Sequence, residues 1–259
     1  MADTPVILER HGAVALITLN RPTRRNAINA DLSAAFCDAV AAAQDARAIV
    51  VTGADPAFCA GLDLKELGVA TLAELPSYAS ALEASKAPLI AAVNGAAVTG
   101  GFEIALGCDF IVASERAVFA DTHLRVGVYP GPVLVDLPRR IGMAWAREMS
   151  LTGNFVDAAT ALRIGLANHV KPHDQLIPFA LELASAIADA DPTMVTAMRG
   201  DWDANMGTPL ADARRIHADH ARGGGFARTR GADIAGRRER VLQRSRMQRE
   251  ALSADVNDS

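Results

Sequence analysis

Glu103 stands two positions after the pair Gly100-Gly101, inside the stretch LIAAVNGAAVTGGFEIALGCD (89–109). At that spacing the carboxylate falls in the first turn of a helix. The leading N–H groups of that helix are unshielded, because glycine has no side chain. Such a helix end favours negative charge. Anion-seeking donors beside a carboxylate suit a reaction in which an oxyanion forms while a proton moves. The same features also serve plain packing and dipole compensation, so this stretch alone leaves both readings open.

A second stretch has the same plan. AIVVTGADPAFCAGLDLK (48–65) offers a strand over 49–51, a Gly/Asp/Pro turn, and a glycine ahead of a helix expected to start near Leu62. Two loops then each present backbone N–H groups, which is what an oxyanion hole needs. Cys59 lies in this loop and is given no catalytic role.

The elements that must hold these loops are short and apolar. Residues 6–10 and 14–19 read as a hairpin about His11-Gly12. Asp31 is expected to cap a helix over 32–44. A helix over 71–85 contains Pro76, which marks a break or a first-turn position. The run 89–93 reads as a buried strand broken by Asn94-Gly95. Short strands are expected at 109–113 and 118–120. From Val133 on the chain reads as mostly helical, with Asp157 capping 158–164 and Gly165 closing it. Helices over 173–190, 192–206, 208–222 and 232–246 follow, the last two separated by Gly223-Gly224-Gly225.

The 259 residues suffice for one large core, or for one domain with an appendage. Half the residues are apolar, 22% are charged and the net charge is −4, the make-up of a soluble globular protein without a nucleic-acid signature. The arginine-rich segment 237–249 reads as a solvated or intersubunit face. Cys37, Cys59 and Cys108 are odd in number and outside CxxC spacing, so reduced thiols in a cytoplasmic protein are expected. No basic head precedes an apolar run at the start, so no signal peptide is expected. No uninterrupted apolar run is long enough for a membrane span. His217 with His220, and His169 with His173, lack a third ligand, so no metal site is expected. The dinucleotide, P-loop and serine-hydrolase motifs are absent.

FCAGLDLKEL (58–67) and VNGAAVTGGFEIALGCD (93–109) resemble the two signature blocks of the crotonase superfamily, the enoyl-CoA hydratase/isomerase family. NRPTRRNAIN (20–29), GVYPG (127–131) and LTGNFVDAATALRIGLANHV (151–170) extend the resemblance in the family's order. It covers roughly residues 5–200 well. It implies an α/β fold: a crotonase-like spiral of ββα units over 1–200 and a helical C-terminal region over 201–259 that forms homotrimers or dimers of trimers. It implies water addition to a 2-enoyl-CoA, with coenzyme A as part of the substrate and no separate cofactor. Isomerisation by Glu103 alone and acyl-CoA binding without turnover are the rival readings.

By position in the motifs, the oxyanion donors are the N–H groups of Leu62 and Gly100. The resemblance places Arg25, Ala27, Ala60, Leu62, Asp63, Leu64, Lys65 and Gly100 along the CoA ester. The loop arginines also fit a solvated loop, and Asp63 and Lys65 also fit a helix start. Glu103 matches the first of the family's two catalytic glutamates. The second falls on His123, a departure from the pattern. Histidine serves as acid or base near neutral pH, and in an extended segment Asp121 would point the same way. The bland alternative is a site that has lost its second group. The family's late Phe followed by Glu-Lys-Arg-x-Pro is also absent.

Overall fold

In the computed structural model, which describes residues 4–63, 77–209, 212, 214–216 and 219, the predicted hairpin forms. β1 (Val6–His11) runs antiparallel to β2 (Val14–Leu19). Three strand pairs then follow: β3 (Ala48–Gly53) with β4 (Ala57–Cys59), β5 (Leu89–Val93) with β6 (Ala96–Val98), and β7 (Phe110–Ser114) with β8 (Val118–Ala120). β9 (Val156–Asp157) and β10 (His169–Lys171) complete two sheets, ordered β1-β2-β3-β5-β7-β10 and β4-β6-β8-β9. The first strand of each pair enters the larger sheet and the second enters the smaller one. The chain therefore coils through both sheets, as the resemblance implies.

The period of two explains how the central strands of the larger sheet are buried on both faces. Ala15, Ile17, Ile49, Val51, Leu89, Ala91, Ile111 and Ala113 point into the main core. Their alternates Val14, Leu16, Ala48, Val50, Ile90, Ala92 and Val112 meet a single helix, α8 (Leu176–Ala188). Parallel strands covered on both faces read as continuous apolar runs, and β3 and β5 are wholly buried.

The helices are α1 (Ala30–Ala42), α2 (Tyr78–Glu83), α3 (Gly100–Leu106), α4 (His123–Val126), α5 (Val133–Ile141), α6 (Met143–Thr152), α7 (Ala158–Arg163), α8 (Leu176–Ala188) and α9 (Pro192–Asn205). α8 covers the sheet with Leu176, Ala180, Ala184 and Ala188, a stripe of period four on one helical face. α7 has the predicted cap, Asp157 accepting from Thr160 N at 2.8 Å. α1 does not. Its cap is Asn29, whose Oδ1 accepts from Leu32 N at 3.0 Å, while Asp31 lies within the first turn. The expected helix over 173–190 is divided: a 3-10 turn at His173–Gln175 precedes α8. His173 is held there by side-chain contacts to Ser114 and Asp55, at 3.1 and 3.0 Å. The segment 71–76 and the helices expected over 208–222 and 232–246 lie wholly or largely outside the described residues.

The chain divides into two compact units, Met1–Val195 and Thr196–Ser259. Both sheets and all the candidate site residues belong to the first. Among the described residues no helix is long and apolar enough to cross a membrane.

Candidate active site

The turn after β4 and the turn after β6 pack against each other through missing side chains. A β-carbon on Gly61 would lie 2.1 Å from Thr99 Oγ1, and one on Gly101 would lie 2.3 Å from the Cys59 carbonyl oxygen. No ordinary contact is that short, so the approach of the two loops requires glycine on both sides. Thr99 has φ 46° and ψ −115°. A β-branched residue at positive φ is strained, and such strain persists where the surroundings fix it.

These loops carry the two expected donors. Leu62 lies in a parallel bridge to Ile28, and the helix expected to start near it falls outside the described residues. Ile28 N–H donates to Gly61 O at 2.7 Å and Ile28 O accepts from Asp63 N–H at 2.8 Å. In this pattern Leu62, between the two bonded residues, turns its own N–H away from Ile28. Gly100 does open a helix, as expected, at the N-terminus of α3. Among the described residues, neither N–H has a backbone acceptor.

The loop 20–29 braces the first of these turns. Arg25, exposed and left-handed at φ 50°, accepts from Ala60 N–H through its carbonyl at 3.0 Å. Arg21, rather than Arg25, reaches across: its guanidinium pairs with Asp63 at 3.3 Å and donates to the Ala27 carbonyl at 2.5 Å. Arg25, Ala27, Ala60, Leu62 and Asp63 are thus brought to one joint. Leu64 and Lys65 lie outside the described residues. The organiser of the joint is Asn26, which the sequence reading passed over. It is fully buried, and its Nδ2 donates to the carbonyls of Ala54, Ala57 and Phe58 at 2.8, 2.7 and 3.2 Å. The available signal was its residue type, since asparagine tolerates the left-handed backbone it adopts at φ 55°.

Glu103 and His123 come together. They are 5% and 4% exposed, and both line a cavity of about 290 Å³ with Leu62, Tyr78, Tyr129 and Gly131. A smaller cavity of about 80 Å³ shares Leu62 and His123 and adds Ala60 and Thr99. Glu103 Oε1 accepts from Gly131 N at 3.1 Å and Val133 N at 3.4 Å, and Oε2 accepts from the Tyr78 hydroxyl at 2.7 Å. At the far end of α3, Arg140 donates to the carbonyls of Leu106 and Cys108 at 3.2 and 2.8 Å. That cation complements the helix end opposite the site.

Asp121 and His123 do meet, but not on an extended segment. β8 ends at Ala120 and His123 opens α4. Asp121 Oδ1 accepts from His123 N at 3.3 Å and lies 2.6 Å from Nδ1. Burial alone would raise the Asp121 carboxyl, but hydrogen bonds from His123 and Ser150 outweigh it and hold it below the usual carboxylate range. An ionised carboxylate only accepts, so Nδ1 carries the proton and Nε2 is the nitrogen left for the cavity.

The remaining polar candidates stand elsewhere. Cys59 is buried and its thiol is pushed up to about 12, so it offers no thiolate. His169 packs edge-on against Phe179 with ring centroids 5.0 Å apart, whereas His173 bonds to Ser114 and Asp55. The two therefore serve separate packing contacts. His217 and His220 lie outside the described residues.

Comparison with known proteins agrees with this architecture. A profile of the enoyl-CoA hydratase/isomerase family matches residues 9–223. A crotonyl-CoA hydratase of Syntrophomonas wolfei subsp. wolfei is 32% identical over 231 residues, covering 85% of this chain and 89% of that protein. The crystal structure of an enoyl-CoA hydratase from Mycobacterium tuberculosis H37Rv superimposes with a TM-score of 0.68 at 41% identity, covering 86% of this chain and 93% of that one. One from Bacillus anthracis gives a TM-score of 0.81 at 27% identity, covering 94% and 96%. With two sheets coiled together and the two signature loops locked over one cavity, the chain belongs to the enoyl-CoA hydratase/isomerase family.

Proposed function

We propose that the protein hydrates a 2-enoyl-CoA thioester. The observation that carries this reading is that Glu103 and His123 face one cavity with Leu62 in its wall. The thioester oxygen sits between the N–H groups of Leu62 and Gly100. As the water oxygen bonds to C3, the electron pair of the double bond moves through C2 to that oxygen, giving an enolate. The two donors stabilise it, each by roughly 3 to 4 kcal/mol on the precedent of other oxyanion holes. The enolate collapses as C2 gains a proton. Glu103 and His123 take the water proton and supply the C2 proton between them. The Asp121 carboxylate favours a working imidazole over a site with one group missing.

Coenzyme A enters as part of the substrate, along the joint of Arg25, Ala27, Ala60, Leu62 and Asp63, and no separate cofactor is needed; the resemblance alone adds Leu64 and Lys65 to its path. Three free thiols support a cytoplasmic location. The test is incubation with a panel of 2-enoyl-CoA esters, following loss of conjugated absorbance and product mass. Gain of one water is expected. A product of unchanged mass would assign isomerisation, and binding without any product would sink the enzymatic reading.

The assembly we assign is a homotrimer, alone or paired into a hexamer. It is supported by exposed apolar side chains on α4 to α6 and in the turns between and just after them, with Tyr129 at 85%, Leu151 at 70% and Phe155 at 55% exposure. Such a surface marks an interface. Light scattering at micromolar concentration is expected to give three or six chains, and a stable monomer would refute the assignment.

A further inference from the structure

Only two tyrosines occur in the chain, and both line the cavity that holds Glu103 and His123. Tyr129 stands at its mouth. Tyr78 stands inside, at the start of α2, where Ser77 fixes the turn by accepting from Ser80 N at 3.1 Å. Its hydroxyl makes the shortest contact to Glu103, 2.7 Å from Oε2. It also lies 3.1 Å from where a β-carbon on Gly100 would be. One hydroxyl thus sits between the proposed base and a proposed oxyanion donor.

The two oxygens of Glu103 are not equivalent. A carboxylate oxygen has two in-plane sites for hydrogen bonds. On Oε1 both are used, by Gly131 N and Val133 N. On Oε2, among the described residues, one is used, by Tyr78. Burial, reinforced by the neighbouring carboxylate, pushes the Tyr78 phenol well above its ordinary value. It remains a donor and never competes as a second base.

We propose that Oε2 is the oxygen through which Glu103 exchanges its proton, and that Tyr78 is the positioning residue that aims it. Gly131 and Val133 hold Oε1 as a fixed hinge. Tyr78 then sets the rotation of the carboxylate about that hinge, so the open site on Oε2 meets the reacting water. The inference rests on the hydration reading above and adds which atom works and what orients it.

The test is a double-mutant cycle, which isolates the coupling between two residues. Tyr78→Phe keeps the ring and removes only the hydroxyl. It should lower kcat by about ten- to a hundredfold, the effect of losing a hydrogen bond to a charged group. KM, and the affinity for an unreactive saturated acyl-CoA, should stay within about twofold of wild type if binding is untouched. Glu103→Asp withdraws the carboxylate by about 1.5 Å, one carbon–carbon bond. On that background, adding Tyr78→Phe should change kcat by less than about twofold, because the bond to be lost is already broken. An equal loss on both backgrounds would reduce Tyr78 to packing and overturn the proposal. So would an unchanged kcat in Tyr78→Phe while Glu103→Gln is inactive, although the hydration reading would survive. A wild-type protein inactive on every enoyl-CoA would overturn both.

Discussion

Replacing Glu103 by glutamine is expected to reduce turnover of an enoyl-CoA by about two to four orders of magnitude, the usual cost of losing a general acid or base. The substitution preserves shape. The glutamine carbonyl oxygen can still accept from Gly131 N and Val133 N, the contacts that hold Oε1 at 3.1 and 3.4 Å. The amide N–H₂ replaces Oε2 and can donate to the Tyr78 oxygen once that hydroxyl turns. The buried polar groups therefore stay paired, and the fold should hold. What is lost is the ability to take up a proton. Calorimetric titration with a saturated acyl-CoA should give an affinity close to wild type, since the Leu62 and Gly100 N–H groups are unchanged. Equal turnover in wild type and mutant would remove Glu103 from the chemistry.

His123→Ala should lower kcat by about a hundredfold if proton transfer is lost. Asp121 frames the controls. Its carboxylate is 1% exposed, and deleting the imidazole leaves a buried charge without its partner, so a lower Tm is expected as well. The double variant His123→Ala/Asp121→Asn should recover the Tm but not the rate. The pH dependence has a definite sign. Burial pulls the Asp121 carboxyl up, yet the bonds from His123 and Ser150 hold it below the usual range. Asp121 therefore stays ionised at every pH above about 4, the ordinary value for aspartate. The charged partner of Nδ1 is lost only as the pH falls through the lowered Asp121 value. His123→Glu alone should not rebuild the common carboxylate pair, because the new carboxylate would face Asp121 where Nδ1 now lies 2.6 Å away. Like charges at that range cannot both ionise. His123→Glu/Asp121→Asn is the variant expected to restore hydration. An unchanged rate in His123→Ala would make the histidine a bystander.

The parts legible in the sequence are those with local causes. The hairpin β1–β2 follows from apolar runs about a glycine. β5 follows from a short run ended by Asn94-Gly95, and the cap of α7 from Asp157 at the right offset. The parts that were missed have distant causes. Leu62 pairs with Ile28, 34 positions earlier (62 − 28), and nothing near Leu62 announces that bridge. Asn26 gathers carbonyls from residues 54–58, so its role exists only once the loops have met. Asn29 took the cap expected of Asp31 because its backbone is the extended one, a choice made by the preceding loop. Tyr78 sat in a stretch read as plain helix, although its oxygen ends on Glu103, 25 positions away. Glu103 itself was readable because the glycines that free the donors are its immediate neighbours.

The clasp between Gly61 and Thr99, and between Gly101 and Cys59, divides what can change in this site from what cannot. Charge stabilisation is assigned to the main chain, which every amino acid except proline supplies alike. Its geometry is secured by two absent side chains. Substitution at Leu62 leaves its N–H in place, so drift there is tolerated, whereas any added carbon at position 61 or 101 parts the loops. Proton handling is assigned to Glu103 and His123, with Tyr78 aiming the carboxylate, each replaceable by a single substitution that leaves the loops locked. New reactions of thioesters can then arise by exchanging the proton carriers around a constant electrophilic cradle, and we read the histidine at position 123, where the resemblance implies a second glutamate, as one such exchange.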